Sequence, residues 1–173
     1  KYILIEKFIE YNKEYNNIKQ ILNDYVNSSK FPNTEERSET YLNTYKSKNE
    51  EDIKLAYKKW APFYEWHIID MGWDAPRLCV DLLLSNLKNR DLSKLKICDI
   101  GAGTGLVGVQ LRKAKFNGII DGIDLSKEML QQAEKKKCYS GLFEMNVENM
   151  SIVDSFYDAI ICVGALNFGH IPP

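Results

Sequence analysis

Three glycines alternate directly behind an apolar run that closes on an acid: Lys96-Ile97-Cys98-Asp99-Ile100-Gly101-Ala102-Gly103-Thr104-Gly105-Leu106. These residue types suit holding a ligand more than breaking a bond. Without a Cβ, the backbone at Gly101, Gly103 and Gly105 can approach a bound molecule closely. A helix pattern follows, and the first amides of a helix find no partner within it. Such a loop fits a nucleotide-like ligand. Gly103-Thr104-Gly105-Leu106-Val107-Gly108 also fits the G-x-G-x-x-G string of dinucleotide sites, a weak signal by itself. The bland alternative is a glycine-rich turn that only joins a strand to a helix, and the residues downstream weigh against it.

Asp99 separates two ligand classes. In a dinucleotide site the loop cradles a pyrophosphate at a helix N-terminus, and an aspartate at the strand tip would repel it. S-adenosylmethionine has no phosphate and carries an ammonium and a sulfonium, which an acid at that place suits. The methyl donor is therefore expected over NAD(P). Gly118-Ile119-Ile120-Asp121-Gly122-Ile123-Asp124 reads as a second strand ending in an acid. Asp124 lies about twenty residues past the glycines, where a carboxylate can accept from ribose hydroxyls. Asp121 is its rival, but Asp124 directly precedes the turn into the next helix. Ser126 is expected to cap that helix, with Met129, Leu130 and Ala133 on one face. A third strand is expected over Leu142 to Asn146, with Asn146 at its tip able to accept from the exocyclic amine of adenine and to donate to a ring nitrogen; a plain turn asparagine is the alternative. Tyr157 to Leu166 is nearly continuously apolar, as a strand buried on both faces would be.

Together these segments resemble a class I methyltransferase. Trp60-Ala61-Pro62-Phe63-Tyr64-Glu65, Ala75-Pro76-Arg77-Leu78-Cys79-Val80-Asp81, the glycine loop, Gly122-Ile123-Asp124-Leu125-Ser126 with Met129, Leu130 and Ala133, and Val163-Gly164-Ala165-Leu166 are similar, in order, to the methyltransferase-like family of the Williams–Beuren syndrome chromosome region. The resemblance runs over about residues 53 to 173. It implies an α/β fold with a Rossmann-like parallel sheet, strands in the order 3-2-1-4, binding S-adenosylmethionine across the strand tips. It implies donor contacts from Asp99, Gly101, Gly103, Gly105, Asp124, Leu125 and Asn146, and a lid made by the segment around Tyr57, Trp60 and Tyr64. Two residues depart from the pattern: Asn146 stands where the class often has an acid, and Glu65 where aspartate is common.

A full class I sheet has seven strands, and this chain stops at Ile171-Pro172-Pro173, just behind the fourth. Strands five to seven are therefore expected to be missing. Residues 53–173 would be the donor-binding half of a C-terminally truncated methyltransferase domain, with the fourth strand an apolar, aggregation-prone edge. Residues 1–52 precede it as an N-terminal helix and a polar linker. In the first 27 residues Leu4, Phe8, Tyr11, Tyr15, Ile18, Leu22 and Tyr25 form one apolar stripe. The stripe reads as a face packed on its own domain; a coiled-coil contact with a partner is the sharper alternative. The polar stretch 28–52 is expected to be a linker with a helical turn around 35–46, and its charges to form a solvated face. A short helix over Ile53 to Tyr64 follows, then one that Pro76 opens, with Leu78, Leu82, Leu83 and Leu87 inward.

Composition sets the outer limits. The 173 residues could make one domain. A net charge of −1 with dispersed basic residues gives no electrostatic case for nucleic acid. No run approaches the roughly twenty apolar residues of a membrane span, and no signal peptide is read. Cys79, Cys98, Cys138 and Cys162 form no C-x-x-C pair, and no metal-ligand spacing is read. An intracellular, cytoplasmic location with reduced thiols is expected.

Methyl transfer from the sulfonium needs donor and acceptor held in line and water excluded. A general base is needed only for a poor nucleophile. His170 is the candidate base, since acceptors meet the methyl behind the fourth strand in this class; a surface turn histidine is the alternative. No Asn-Pro-Pro-Tyr follows that strand, so the expected acceptor is a small molecule, with a protein side chain second. The competing class is a non-catalytic donor-binding protein or regulatory subunit on the same fold.

Overall fold

The computed structural model describes residues 34–47, 49–150 and 155–165. The expected helix over residues 1–27, Leu166 and His170 lie outside them. Helices α1 (Thr34–Lys46), α2 (Glu50–Trp60), α3 (Tyr64–Asp70) and α4 (Ala75–Leu87) come first, then β1 (Lys96–Ile100), α5 (Leu106–Lys113), β2 (Ile119–Asp124), α6 (Lys127–Lys135), β3 (Gly141–Glu144) and β4 (Ala159–Cys162). The four strands are parallel, in the order β3-β2-β1-β4. Parallel neighbours cannot be joined by a hairpin, and α5 and α6 supply two of the crossovers.

Alternation along the strands builds the core. Ile97 on β1 and Ile120 on β2 face the layer filled by Val80 and Leu87 of α4 and Val107 and Leu111 of α5, with Phe116 and Ile161 completing it. Two polar devices fix the strand starts. Asp158 accepts from the backbone N–H of Lys96 (2.9 Å) and from Arg90 Nη2 (2.5 Å), which sets β4 beside β1. Arg112, at the end of α5, donates to the carbonyls of Cys138 (3.0 Å), Phe116 (2.7 Å) and Gly118 (2.9 Å).

Several boundaries differ from the sequence reading. The stretch taken for linker forms the helix α1, and α2 begins at Glu50 because Asn49 caps it by accepting from the N–H of Asp52. A separate helix, α3, follows Pro62. β3 ends at Glu144, so Asn146 lies beyond the strand and caps a 3-10 turn, Val147–Asn149. Helix α4 is rotated from the expected facing: Leu78 and Leu82 are 56% and 66% exposed, while Pro76, Val80 and Leu87 are buried. The four-leucine pattern contains two overlapping stripes, and the one shared with Val80 meets the sheet.

Arg112→Met should lower stability by about 2 kcal/mol, since it leaves three carbonyls without a charged donor. A lower urea midpoint with an unchanged slope is the expected measurement.

Candidate functional site

A cavity of about 370 Å³ opens at the C-terminal ends of the strands. This is where open parallel sheets bind ligands. Its floor is Ile100, Gly101 and Gly103 behind β1, Asp124, Leu125 and Ser126 behind β2, Asn146 to Glu148 behind β3, and Val163 to Ala165 behind β4. Its roof comes from α2 and the start of α3, through Glu50, Ile53, Lys54, Tyr57 and Tyr64. The roof rests on an apolar cluster of Trp60, Phe63 and Ile68, against which Tyr41, Tyr57, Tyr64, Trp73 and Leu106 pack.

Asp124 joins floor to loop. Its Oδ2 accepts from the N–H of Gly103 (2.8 Å) and its Oδ1 from the N–H of Ser126 (2.8 Å). Burial pushes this carboxyl up, and the N–H groups of Ser126, Gly103 and Leu125 pull it back. Three more loop amides turn inward: Gly101 and Ala102 donate to the Ile123 carbonyl (2.8 and 3.0 Å), and Gly105 to the Ala102 carbonyl (2.8 Å). Gly103 has φ +54, and a Cβ there would have only the Gly101 carbonyl oxygen near it, at 3.9 Å, so it would stand in open space. Asp121, the rival for the ribose role, faces away from the cavity and accepts from the Tyr157 hydroxyl (3.1 Å).

The cavity thus gathers Gly101, Gly103, Asp124, Leu125, Asn146, Tyr57 and Tyr64. It does not gather Asp99, Gly105 or Trp60. Asp99 is still inside the pleated strand, so its side chain stands perpendicular to the sheet, in the layer below α5, and is 0% exposed. Its Oδ2 accepts from the Tyr139 hydroxyl (2.7 Å); its Oδ1 has no partner among the described residues. Burial pushes it up to about 7, with Asp124 adding to the rise and the Tyr139 hydroxyl opposing it. Gly105 caps α5 at φ +91, and a Cβ there would press on Ala133 and Tyr139, so this glycine serves packing. Trp60 is 4% exposed and lies behind the roof as its core.

Four contributors were missed. Glu50 was read as a solvated charge and Lys54 was given no role, although Asn49 followed by Glu50-Glu51-Asp52 is a helix-start signal. Tyr139 donates to Asp99 and accepts from the N–H of Gly108 (3.0 Å); nothing local in its neighbourhood marks it. Lys136 donates to Glu65 of α3 and to the Thr104 carbonyl (2.6 Å), which ties roof to loop. Among the described residues no cluster of three or more His, Cys, Asp or Glu could hold a metal, and no helix is long and apolar enough to cross a membrane. Cys79, Cys98, Cys138 and Cys162 form no disulfide.

Residues 97–173 match the family described as "Methyltransferase domain". The parallel order 3-2-1-4 and the glycine loop at its switch point agree with that match. Residues 97–173 carry a methyltransferase-type domain of the class I fold. Methyltransferase-like protein 27 from Homo sapiens is 36% identical over 118 residues, 67% of this chain and 47% of that protein. The chloroplastic magnesium protoporphyrin IX methyltransferase of Arabidopsis thaliana is 30% identical over 88 residues, 49% of this chain and 28% of that protein. The crystal structure of magnesium protoporphyrin IX methyltransferase from Synechocystis PCC 6803 aligns with a TM-score of 0.42 at 20% identity, over 83% of this chain and 60% of that one. The chain spans less than half the length of the curated relatives it matches.

In this methyltransferase domain Asp99 makes stability depend on pH. Its folded value lies above that of the unfolded chain, so the folded state binds more protons between about pH 4 and pH 7, and stability falls as pH rises through that window. Asp99→Asn, which keeps an acceptor for Tyr139, should raise Tm at pH 8 and reduce the decline between pH 4 and 7. Thermal melts of both proteins across that range check this, and parallel curves would contradict it.

Proposed function

We propose that the domain binds S-adenosylmethionine in this cavity and transfers its methyl group to a small-molecule acceptor. One observation carries the reading. The amides of Gly101, Ala102, Gly103 and Gly105 are all spent on the protein's own acceptors, one of them the Asp124 carboxylate. A pyrophosphate needs those amides free. Lys54, the one cation lining the cavity among the described residues, is paired with Glu50 at 2.7 Å. With the Asp124 carboxylate on its floor and its cation paired, the site suits a ligand with hydroxyls and positive charge better than one with phosphates. Asp99 is not in the cavity lining, and its buried side chain acts only from beneath the loop.

Within that reading Asp124 accepts from ribose hydroxyls with its remaining lone pairs. Asn146 meets the adenine edge. Gly101 and Gly103 let the backbone lie against the nucleoside. Tyr57 and Tyr64 cover it and exclude water. When bound, the donor supplies an electrophilic methyl on a sulfonium that is already a good leaving group, so the protein's task is chiefly alignment. A small-molecule acceptor is supported by the name of the relative from Arabidopsis thaliana, which specifies a porphyrin.

Calorimetry should show S-adenosylhomocysteine binding to the chain and no binding of NAD. The opposite result rejects the reading. Asp124→Ala should weaken the nucleoside by about 1–3 kcal/mol. Gly103→Val should reduce binding below detection, because a branched side chain at φ +54 is strained and projects into the cavity. Transfer of a labelled methyl group to small molecules of a cell extract tests turnover; binding without any transfer would favour a non-catalytic binder.

A further inference from the structure

We propose that Glu50 is a positioning residue that fixes the amide of Asn146 in one orientation, and so makes the cavity select adenine over a purine bearing a carbonyl in place of the exocyclic amine. The inference rests on the donor reading above and concerns how the base is read.

An asparagine presents an acceptor on one side and a donor on the other, and a flip exchanges them. For a purine the two faces have opposite meaning. Adenine offers an amine donor beside a bare ring nitrogen; hypoxanthine offers a carbonyl beside a protonated one. An Asn146 free to flip could pair with either. A carboxylate at the same place could accept only, which would suit the adenine amine without any locking.

Here both ends of the amide are pinned by partners of fixed polarity. Asn146 Nδ2 donates to Glu50 Oε2 at 2.9 Å, and an ionised carboxylate can only accept. Asn146 Oδ1 accepts from the backbone N–H of Glu148 at 2.9 Å, and that group can only donate. Lys54 holds the other oxygen of Glu50 at 2.7 Å. The Lys54 and Asn146 contacts hold the Glu50 carboxyl below its usual range, so it stays an acceptor at neutral pH. Glu50 and Asn146 are 96 residues apart, and both line the cavity. The remaining lone pair of Oδ1 is therefore offered in a set direction.

The test uses the full chain and two ligands: S-adenosylhomocysteine and its hypoxanthine analogue, in which oxygen replaces the exocyclic amine. Glu50→Ala should reduce the adenine-to-hypoxanthine affinity ratio about threefold to tenfold, the range of one hydrogen bond. Lys54 loses its partner in that variant, so the double variant Glu50→Ala/Lys54→Met, which leaves no unpaired cation, should show the same fall in the ratio. In an Asn146→Asp background, where nothing can flip, Glu50→Ala should leave the ratio as it was, so the two changes are non-additive. If Glu50→Ala weakens both ligands equally, Glu50 only holds the roof and the proposal is overturned. An unchanged ratio overturns it as well. Failure of the unaltered chain to bind S-adenosylhomocysteine rejects the donor reading, and this one with it.

Discussion

The site depends on one carboxylate. Asp124 takes the N–H of Gly103 on one oxygen and the N–H of Ser126 on the other. The first bond anchors the middle of the glycine loop behind β1; the second sets the turn from β2 into α6. Two loops from neighbouring strands are thus fastened at a single point on the cavity floor. Burial raises the cost of its charge, and backbone donors offset it. With Gly101, Ala102 and Gly105 also bonded inward, four amides of the loop are taken by the protein's own acceptors.

A second polar pair supports the same loop from beneath. Tyr139 bridges Asp99 on β1 and the N–H of Gly108 on α5, and its ring lies where a side chain at Gly108 would have to be. Asp99 therefore belongs to the frame of the loop, and its partly protonated state near neutral pH is a cost of burial. The hydroxyl that relieves this cost comes from a residue forty positions later.

The strand-helix alternation and the glycine loop were legible in the sequence, because each rests on local periodicity or on residues beside a turn; the order of the strands came only with the family resemblance. Asp124 lines the cavity and Asp121 does not. Asp99 was identified as important but faces elsewhere. Spacing along a strand gives distance from the loop, whereas the pleat decides the side. Leu78 and Leu82 misled in the same way, since a helix with apolar residues on two stripes does not say which one is covered. The roof was the least legible part. Tyr57 and Tyr64 line the cavity, yet Trp60, on the same segment, packs behind them, and Glu50 looked like an ordinary surface charge until α2 was seen to lie across the strand tips. Contacts such as Glu50 with Asn146 or Lys58 with Glu128 join distant stretches of chain, and no short-range pattern encodes them.

Lys136 gives the arrangement a mechanical character. One ammonium group grips the Thr104 carbonyl in the glycine loop and the Glu65 carboxylate in the roof. Cover and cradle are riveted through the same flexible side chain, so moving α3 away from the loop has two courses. Either the rivet lets go, exposing a cation and an anion to water together, or the loop is dragged along.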